Sequence, residues 1–238
     1  MSNFICDLWN EKLVNDLNDY LYSIRNADRM DWEKRVINTK NDCYAIPAQK
    51  VKSIANEIYK GNYISFLDIM PHSNHTILLI STYLISKIKD YKIQIKYINK
   101  ISKYIDNWAL VDSLKFNTKK YETEYLEYAD KMLKSKKEFE RRIGVRILFD
   151  YTKNNNYYNK IFDVLNSLEK EEAYYVNMAA AWLLCECFIK NKDLTFNYYK
   201  NNKTNSFIIN KSISKCRDSF RVSKEDKDEL LKYRKKDK

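Results

Sequence analysis

Glycine and proline each occur only twice in this sequence of 238 residues. A β-sandwich or β-barrel needs many tight turns, and the loops that hold nucleotide phosphates need clusters of glycine. Both kinds of structure are therefore excluded. Pro47 and Pro71 fall where a helix could begin, and there the N–H that proline lacks would have no partner in any case. The sequence predicts an all-α fold.

Apolar residues recur every three or four positions along most of the chain, which is the period of an amphipathic helix. The first such segment contains Phe4, Leu8, Leu13, Leu17 and Leu21, and the one after Pro47 contains Val51, Ile54 and Ile58. Further helical segments are predicted at 62–70, 73–88, 91–105, 107–115, 119–134, 136–152, 157–167, 171–190, 192–201, 205–220 and 223–235. Short helices with tight connections are typical of stacked helix pairs, so we predict a single helical-repeat domain over residues 1–238.

Charge is unevenly balanced, with 43 Lys and Arg against 32 Asp and Glu, a net charge of +11. A basic protein attracts polyanions, so nucleic acid is the expected partner. The alternative is that lysine merely fills the surface of a chain with biased composition. The charged segment at about 223–238 ends in a Lys- and Arg-rich run, and we expect it to form a helix or tail that frays into solvent.

The five cysteines are scattered without the C-x-x-C spacing of a zinc site, and this favours a reducing compartment. His72 and His75 lack the further ligands that a catalytic zinc requires, so we predict neither a metal nor a cofactor. The first residues do not resemble a signal peptide, and no stretch reaches the roughly 18 apolar residues of a membrane span. The sequence predicts a cytoplasmic protein with no contact to a membrane.

Three segments carry side chains suited to chemistry or binding. In D-N-W-A-L-V-D, Trp108 and Asp112 are four residues apart and so project from the same helical face. A carboxylate and an electron-rich ring can both stabilise a developing positive charge, although the same pair also suits a packed tryptophan beside a surface acid. In E-R-R-I-G-V-R, Arg142 and Arg146 share a face and could bind phosphates or form a solvated surface. Trp182, after a run of alanines, could stack in a groove or anchor the core.

Taken together and in this order, these segments resemble the AlkD family of DNA alkylation repair glycosylases. Trp108 and Asp112 in N-W-A-L-V-D look like that family's tryptophan and catalytic aspartate. Arg142 in E-R-R-I-G-V looks like its backbone-binding arginine, and Trp182 in M-A-A-A-W-L-L-C-E looks like its second groove tryptophan. The segments 45–52 and 206–223 resemble the family's early turn with its proline and its closing repeat, so the similarity spans about residues 30–225.

The resemblance implies a superhelix, or solenoid, of HEAT-like repeats with a concave basic groove for double-stranded DNA. It implies a monofunctional glycosylase that releases cationic N3- or N7-alkylated purines and leaves an abasic site, with no cofactor and no obligate protein partner. Asp112, Trp108 and Trp182 would then be catalytic. The DNA-binding residues would be Arg142, Arg146, Lys211 and Lys215.

Two positions depart from the family pattern, since Cys185 stands where some members carry an arginine and Val36 replaces an aromatic residue near the mouth of the groove. These departures weaken the expected grip on DNA or rearrange it. Two other functions therefore stay open. One is a catalytically silent DNA-binding HEAT-like protein, and the other is a helical-repeat scaffold for a protein or RNA partner.

Overall fold

The computed structural model describes residues 4–236, and all of the regular secondary structure within that range is helical. The predicted all-α, helical-repeat class is thereby confirmed. The chain divides into two compact units, unit 1 at Met1–Tyr121 and unit 2 at Glu122–Lys238. That both belong to one repeat domain stays a prediction. Among the described residues, no helix has both the length and the apolar character that a membrane span requires.

The described part of unit 1 contains seven helices, and four of them pack against α5. Their bounds are α1 Glu11–Ser23, α2 Met30–Ile37, α3 Ala48–Lys60, α4 Tyr63–Ile69, α5 His75–Ile85, α6 Tyr91–Ile101 and α7 Trp108–Asp112. Helix α5 contacts α3, α4, α6 and α7, and every one of its residues is buried except Leu79 and Tyr83. A helix that is apolar nearly all round must lie in the core. The two exceptions mark the one side on which α5 faces a cleft.

Unit 2 also contains seven helices, with α11 at its centre. Their bounds are α8 Glu122–Leu133, α9 Glu138–Leu148, α10 Tyr158–Ser167, α11 Tyr174–Lys190, α12 Lys192–Lys200, α13 Ser206–Asp218 and α14 Lys224–Leu230. Helix α11 packs against α9, α12 and α13. Its buried alanines, Ala179 to Ala181, are small enough to let the neighbouring helices approach closely.

Both glycines lie where a side chain would collide with a neighbouring backbone. A Cβ atom added at Gly61 would lie 2.5 Å from the carbonyl oxygen of Cys6, and one added at Gly144 would lie 2.9 Å from that of Ala129. Gly144 therefore allows α9 to approach α8 more closely than any other residue would allow.

Polar side chains determine where many of the helices begin. At eight helix starts, an Asn, Asp or Ser side chain accepts a hydrogen bond from a backbone N–H of the first turn, which otherwise has no partner inside the helix. These residues are Asn10, Asn62, Asn74, Asp90, Asn107, Asn191, Asn205 and Ser223.

Several predicted boundaries were wrong. Helix α1 begins at Glu11, so Phe4 and Leu8 precede it, and α2 falls where no helix was predicted. Pro47 directly precedes α3 as expected, whereas Pro71 lies in the connection before α5 and does not begin a helix. Each error arises because an apolar period does not by itself show where a helix starts.

Within the described range, the charged C-terminal segment forms α14 and a short 3₁₀ turn at Leu231–Tyr233. Leu230 of α14 is fully buried. Beyond it, the Lys235 ammonium donates to the side-chain oxygen of Asn202 at 2.8 Å and to the carbonyl of Thr204 at 2.7 Å. A buried leucine and an anchored lysine hold the segment against unit 2. Residues 237–238 of the predicted tail lie outside the described residues.

Candidate active-site cleft and basic surface

A cleft of about 550 Å³ opens in unit 1, and four helices line it with residues spaced four apart. Such residues form a stripe along one face of a helix. The lining residues are Glu33, Ile37, Ala48, Lys52, Asn56, His75, Leu79, Tyr83, Ser86, Lys87, Trp108, Ala109, Asp112, Ser113 and Lys115. The volume lies within the range of small-molecule sites, which is about 300–1,000 Å³. We call this cavity the unit 1 cleft.

Trp108 and Asp112 both line the unit 1 cleft, at the two ends of the short helix α7. The helix starts at Asn107, whose side-chain oxygen accepts hydrogen bonds from the N–H groups of Ala109 and Leu110. The Trp108 indole N–H donates to the carbonyl of Val36 at 3.4 Å. Asp112 is partly exposed. Unit 1 therefore brings together a carboxylate and an indole ring at the wall of one cavity.

Three lysines give the cleft a positive rim that the sequence analysis did not identify. They are Lys52 on α3 and Lys87 and Lys115 in the connections after α5 and α7. The Lys52 ammonium lies 5.5 Å from the centre of the Tyr83 ring, and that of Lys87 lies 4.6 Å from the Tyr59 ring, distances at which a cation is attracted to an aromatic face. The sequence could have identified Lys52, because it lies four residues after Ala48 on the helix that follows Pro47 and so shares a helical face with it.

Glu33 adds a second carboxylate to the cleft, from a helix that was not predicted. Burial raises the pKa of Glu33, while the hydrogen bond it accepts from the Ala45 N–H and the nearby charge of Arg29 act in the opposite direction. Ala45 has a φ of 50°, a left-handed conformation that costs an alanine free energy and suits glycine. The bond to Glu33 helps to hold this strained turn against the cleft.

A buried polar network lies directly behind α7. The Asn107 amide nitrogen donates to the Asp106 carboxylate at 2.8 Å and to the ring nitrogen Nδ1 of His75 at 3.2 Å. Asp106 also accepts hydrogen bonds from the Thr39 hydroxyl and the Lys40 N–H. Burial raises the pKa of Asp106, but these bonds outweigh it and lower the pKa below its usual value.

The two histidines lie in different surroundings. His75 is 3% exposed, and burial lowers its pKa to about 4, although the negative charge of Asp106 acts in the opposite direction. The imidazole is therefore neutral at pH 7, as it must be to accept a hydrogen bond through Nδ1. His72 stacks on Tyr104 with ring centres 4.0 Å apart. Among residues 4–236, no group of three or more His, Cys, Asp or Glu could hold a metal ion.

In unit 2, Trp182 lies on the surface of α11 with 37% of its area exposed. Its ring meets that of Phe149 edge to face, with centres 4.7 Å apart. The Arg146 guanidinium lies over the Phe149 ring, 5.5 Å from its centre, and forms a salt bridge with the Asp150 carboxylate at 3.8 Å. Unit 2 thus joins Trp182 and Arg146 through Phe149, a residue that the sequence analysis missed because nothing in its local pattern distinguishes it from a core aromatic.

The other DNA-binding candidates differ in accessibility. Arg142 is only 4% exposed, and its guanidinium donates to the carbonyl of Tyr175 near the start of α11. Lys211 is exposed and Lys215 partly exposed, four residues apart on α13. The two lysines present charge to solvent, whereas Arg142 connects α9 to α11 from inside unit 2. That Arg142 binds DNA stays a prediction.

The two departures from the family pattern also have defined places. Val36 is 47% exposed and contributes its carbonyl to Trp108, so the backbone at this position helps to hold the indole. Cys185 is buried on α11, and the thiol of Cys216 on α13 is its hydrogen-bonding partner. An arginine could not replace this buried thiol without displacing α13.

A family model described as DNA alkylation repair enzyme matches residues 17–215, which is most of the chain. A comparison with curated proteins gave no match. The matched range includes every candidate residue described above in both units.

Proposed function

This chain belongs to the DNA alkylation repair enzyme family, and from that premise we propose that it is a monofunctional glycosylase that excises cationic N3- or N7-alkylated purines from duplex DNA. Family membership supplies the role in DNA repair, and the glycosidic reaction is our proposal. The observation that carries it is the unit 1 cleft, where Asp112 and Trp108 share a wall with three lysines.

Alkylation at N3 or N7 places a positive charge on the purine and weakens its bond to deoxyribose. When this bond breaks, its electron pair leaves with the base, which becomes neutral and needs no protonation. The positive charge passes to the sugar. A fixed carboxylate stabilises such a charge by electrostatic preorganisation, and the face of an indole ring attracts it. We assign these roles to Asp112 and Trp108, and a part for Trp182 in the reaction stays a prediction of the family resemblance.

Water completes the reaction by adding its oxygen to the anomeric carbon and losing a proton to solvent. The product is an abasic site and the strand stays intact, because no lysine forms a covalent bond with the sugar in this scheme. Most glycosylases extrude the base into a pocket. Here the resemblance to AlkD favours catalysis from the side of the DNA backbone.

DNA affinity would come from cationic side chains of both units. Lys52, Lys87 and Lys115 line the unit 1 cleft. In unit 2 the candidates are Arg142, Arg146, Lys211 and Lys215. Of these, Arg142 also connects α9 to α11 through the carbonyl of Tyr175. Each phosphate contact releases counterions, so the logarithm of affinity should fall with the logarithm of salt concentration with a slope of about −0.9 per contact.

The first experiment measures release of methylated base from a duplex with a single N7-methylguanine. We expect the wild type to release the base, and Asp112→Asn to bind the duplex but to lose at least about 100-fold in the excision rate, because the charge that stabilises the sugar is gone. Asp163→Asn is the matched control, since Asp163 is an exposed residue of α10, a helix that carries none of the candidate residues. Full activity of Asp112→Asn would refute the assignment.

The second experiment separates the proposal from the two other functions. Duplex affinity of the wild type and of Lys211→Gln is measured between 50 and 200 mM salt, and we expect the variant to lower the log–log slope by about 1. Duplex binding without release of base would indicate a DNA-binding protein that lacks the reaction. Duplex affinity that hardly changes with salt would instead favour a scaffold for another partner.

A further inference from the structure

The helix α7 is too short to keep a fixed orientation without contacts to the rest of unit 1. Its five residues form little more than one turn, and isolated helices of that length are not stable in water. Trp108 and Asp112 nevertheless have to keep a fixed position if they are to act on one sugar. Contacts from outside the helix hold these two residues in position, through the buried network at the N-terminus of α7.

Asn107 is the centre of that network and is fully buried. Its side-chain oxygen accepts from two N–H groups of α7, so the amide nitrogen must be the atom that faces the other way. There it donates to Asp106 and to His75. Asp106 can only accept, since the hydrogen bonds around it favour its ionised form, and neutral His75 accepts through Nδ1. Both hydrogens of the Asn107 amide nitrogen thus meet an acceptor.

The network connects α7 to two other parts of unit 1, the loop after α2 and helix α5. Through Asp106 it binds Thr39 and Lys40, in the loop after α2. His75 is the first residue of α5, and its backbone N–H donates to the carbonyl of Asp42 at 2.9 Å in the same loop. This loop follows Val36, whose carbonyl receives the indole N–H of Trp108. The last turn of α2 therefore holds the first residue of α7, and the loop after α2 holds its N-terminal cap through Asp106.

We propose that His75, Asp106 and Asn107 form a positioning cluster that fixes the direction of α7 and thereby aims Asp112 and Trp108 into the unit 1 cleft. The effect on catalysis rests on the proposed function, whereas the effect on the position of α7 does not. None of the three residues needs to touch DNA. Their loss should reduce the excision rate and leave duplex affinity nearly unchanged.

The test substitution is Asn107→Asp. It keeps an oxygen to cap α7 but replaces the donating nitrogen with an oxygen that faces both the Asp106 carboxylate and the Nδ1 atom of the titratable His75. Two carboxylates at this distance cannot both be ionised. We expect α7 to shift at pH 8 and the single-turnover excision rate to fall about 100-fold, as a displacement near 1 Å can cause. The loss should shrink as the pH falls, because a proton bound between residues 106 and 107 restores one donor.

The matched control is Asn191→Asp. Asn191 likewise caps a helix through its oxygen and donates its amide nitrogen to a side chain, that of Asn155 at 3.0 Å. Its helix, α12, carries none of the candidate residues. Asn107→Ser serves as a second variant in case Asn107→Asp does not fold, since serine can cap α7 but cannot donate to both Asp106 and His75.

A second readout does not depend on activity. The protein is labelled with 5-fluorotryptophan, and the ¹⁹F resonance of Trp108 is assigned by its absence in Trp108→Phe. We expect Asn107→Asp and Asn107→Ser to shift or broaden this resonance, and Asn191→Asp to leave it unchanged. Lower excision with unchanged duplex affinity, together with a changed Trp108 resonance, supports the proposal. An unchanged resonance, or a loss of activity no larger than that of Asn191→Asp, overturns it. If the wild type releases no base, the proposed function fails and the resonance alone decides.

Discussion

Buried His75 should make the protein sensitive to acid over a defined range of pH. Burial lowers its pKa from 6.5 to about 4. In the unfolded chain the imidazole takes up a proton as the pH falls through 6.5, whereas in the folded protein it does so only near pH 4. The unfolded state therefore binds more protons between these values, and the folded state loses stability as the pH falls across this range.

The magnitude follows from the two pKa values. At about 1.4 kcal/mol for each pH unit, a pKa of about 4 instead of 6.5 corresponds to ~3 kcal/mol lost between pH 7 and pH 4. Screening by solvent removes little of this because His75 is 3% exposed. A loss of ~3 kcal/mol is a large part of the 5–15 kcal/mol by which a typical domain is stable.

The measurement compares urea unfolding of the wild type and of His75→Gln between pH 4 and pH 7. Glutamine can still accept a hydrogen bond from Asn107 but does not titrate. Glu33 titrates in both proteins, so its contribution cancels in the difference between the two free energies of unfolding. The contribution of Asp106 cancels only in part, because its charge interacts with that of His75. That difference should change by ~3 kcal/mol over the range. His72→Gln, which replaces the other histidine, is the control. Stability curves that stay parallel for the wild type and His75→Gln would refute the reasoning.

Two further substitutions test the backbone. Ala45→Gly should raise the melting temperature by about 2–4 °C, because the relief of the left-handed strain at φ 50° exceeds the added entropy of the unfolded chain by about 1 kcal/mol; an unchanged or lower melting temperature in a calorimetric scan would contradict this. Gly144→Ala should destabilise unit 2 by about 1–3 kcal/mol, since its new Cβ would lie 2.9 Å from the Ala129 carbonyl oxygen and 2.8 Å from the Leu133 side chain. Urea unfolding measures this loss, and an increase in stability, as alanine gives elsewhere in helices, would show that α8 and α9 can separate at little cost.

The sequence by itself determined the helical class and the pairing of Trp108 with Asp112. Both are local properties. The scarcity of glycine and proline and the apolar period of three to four residues describe contacts within one helix, and residues four apart share a helical face wherever that helix is placed. The order of motifs also indicated the family to which the chain belongs.

Only the tertiary structure decided what surrounds that pair. Glu33 and Lys52 reach the unit 1 cleft from helices that are distant from Trp108 along the chain, and no local pattern links them. Arg142 looks like a surface cation by its spacing, yet the packing of α9 against α11 buries it. The charge of the C-terminal segment suggests a solvated tail, yet Lys235 is anchored by its hydrogen bond to the side-chain oxygen of Asn202. Burial and long-range hydrogen bonds depend on which elements meet, and the periodicity of a single helix contains no information about its partners.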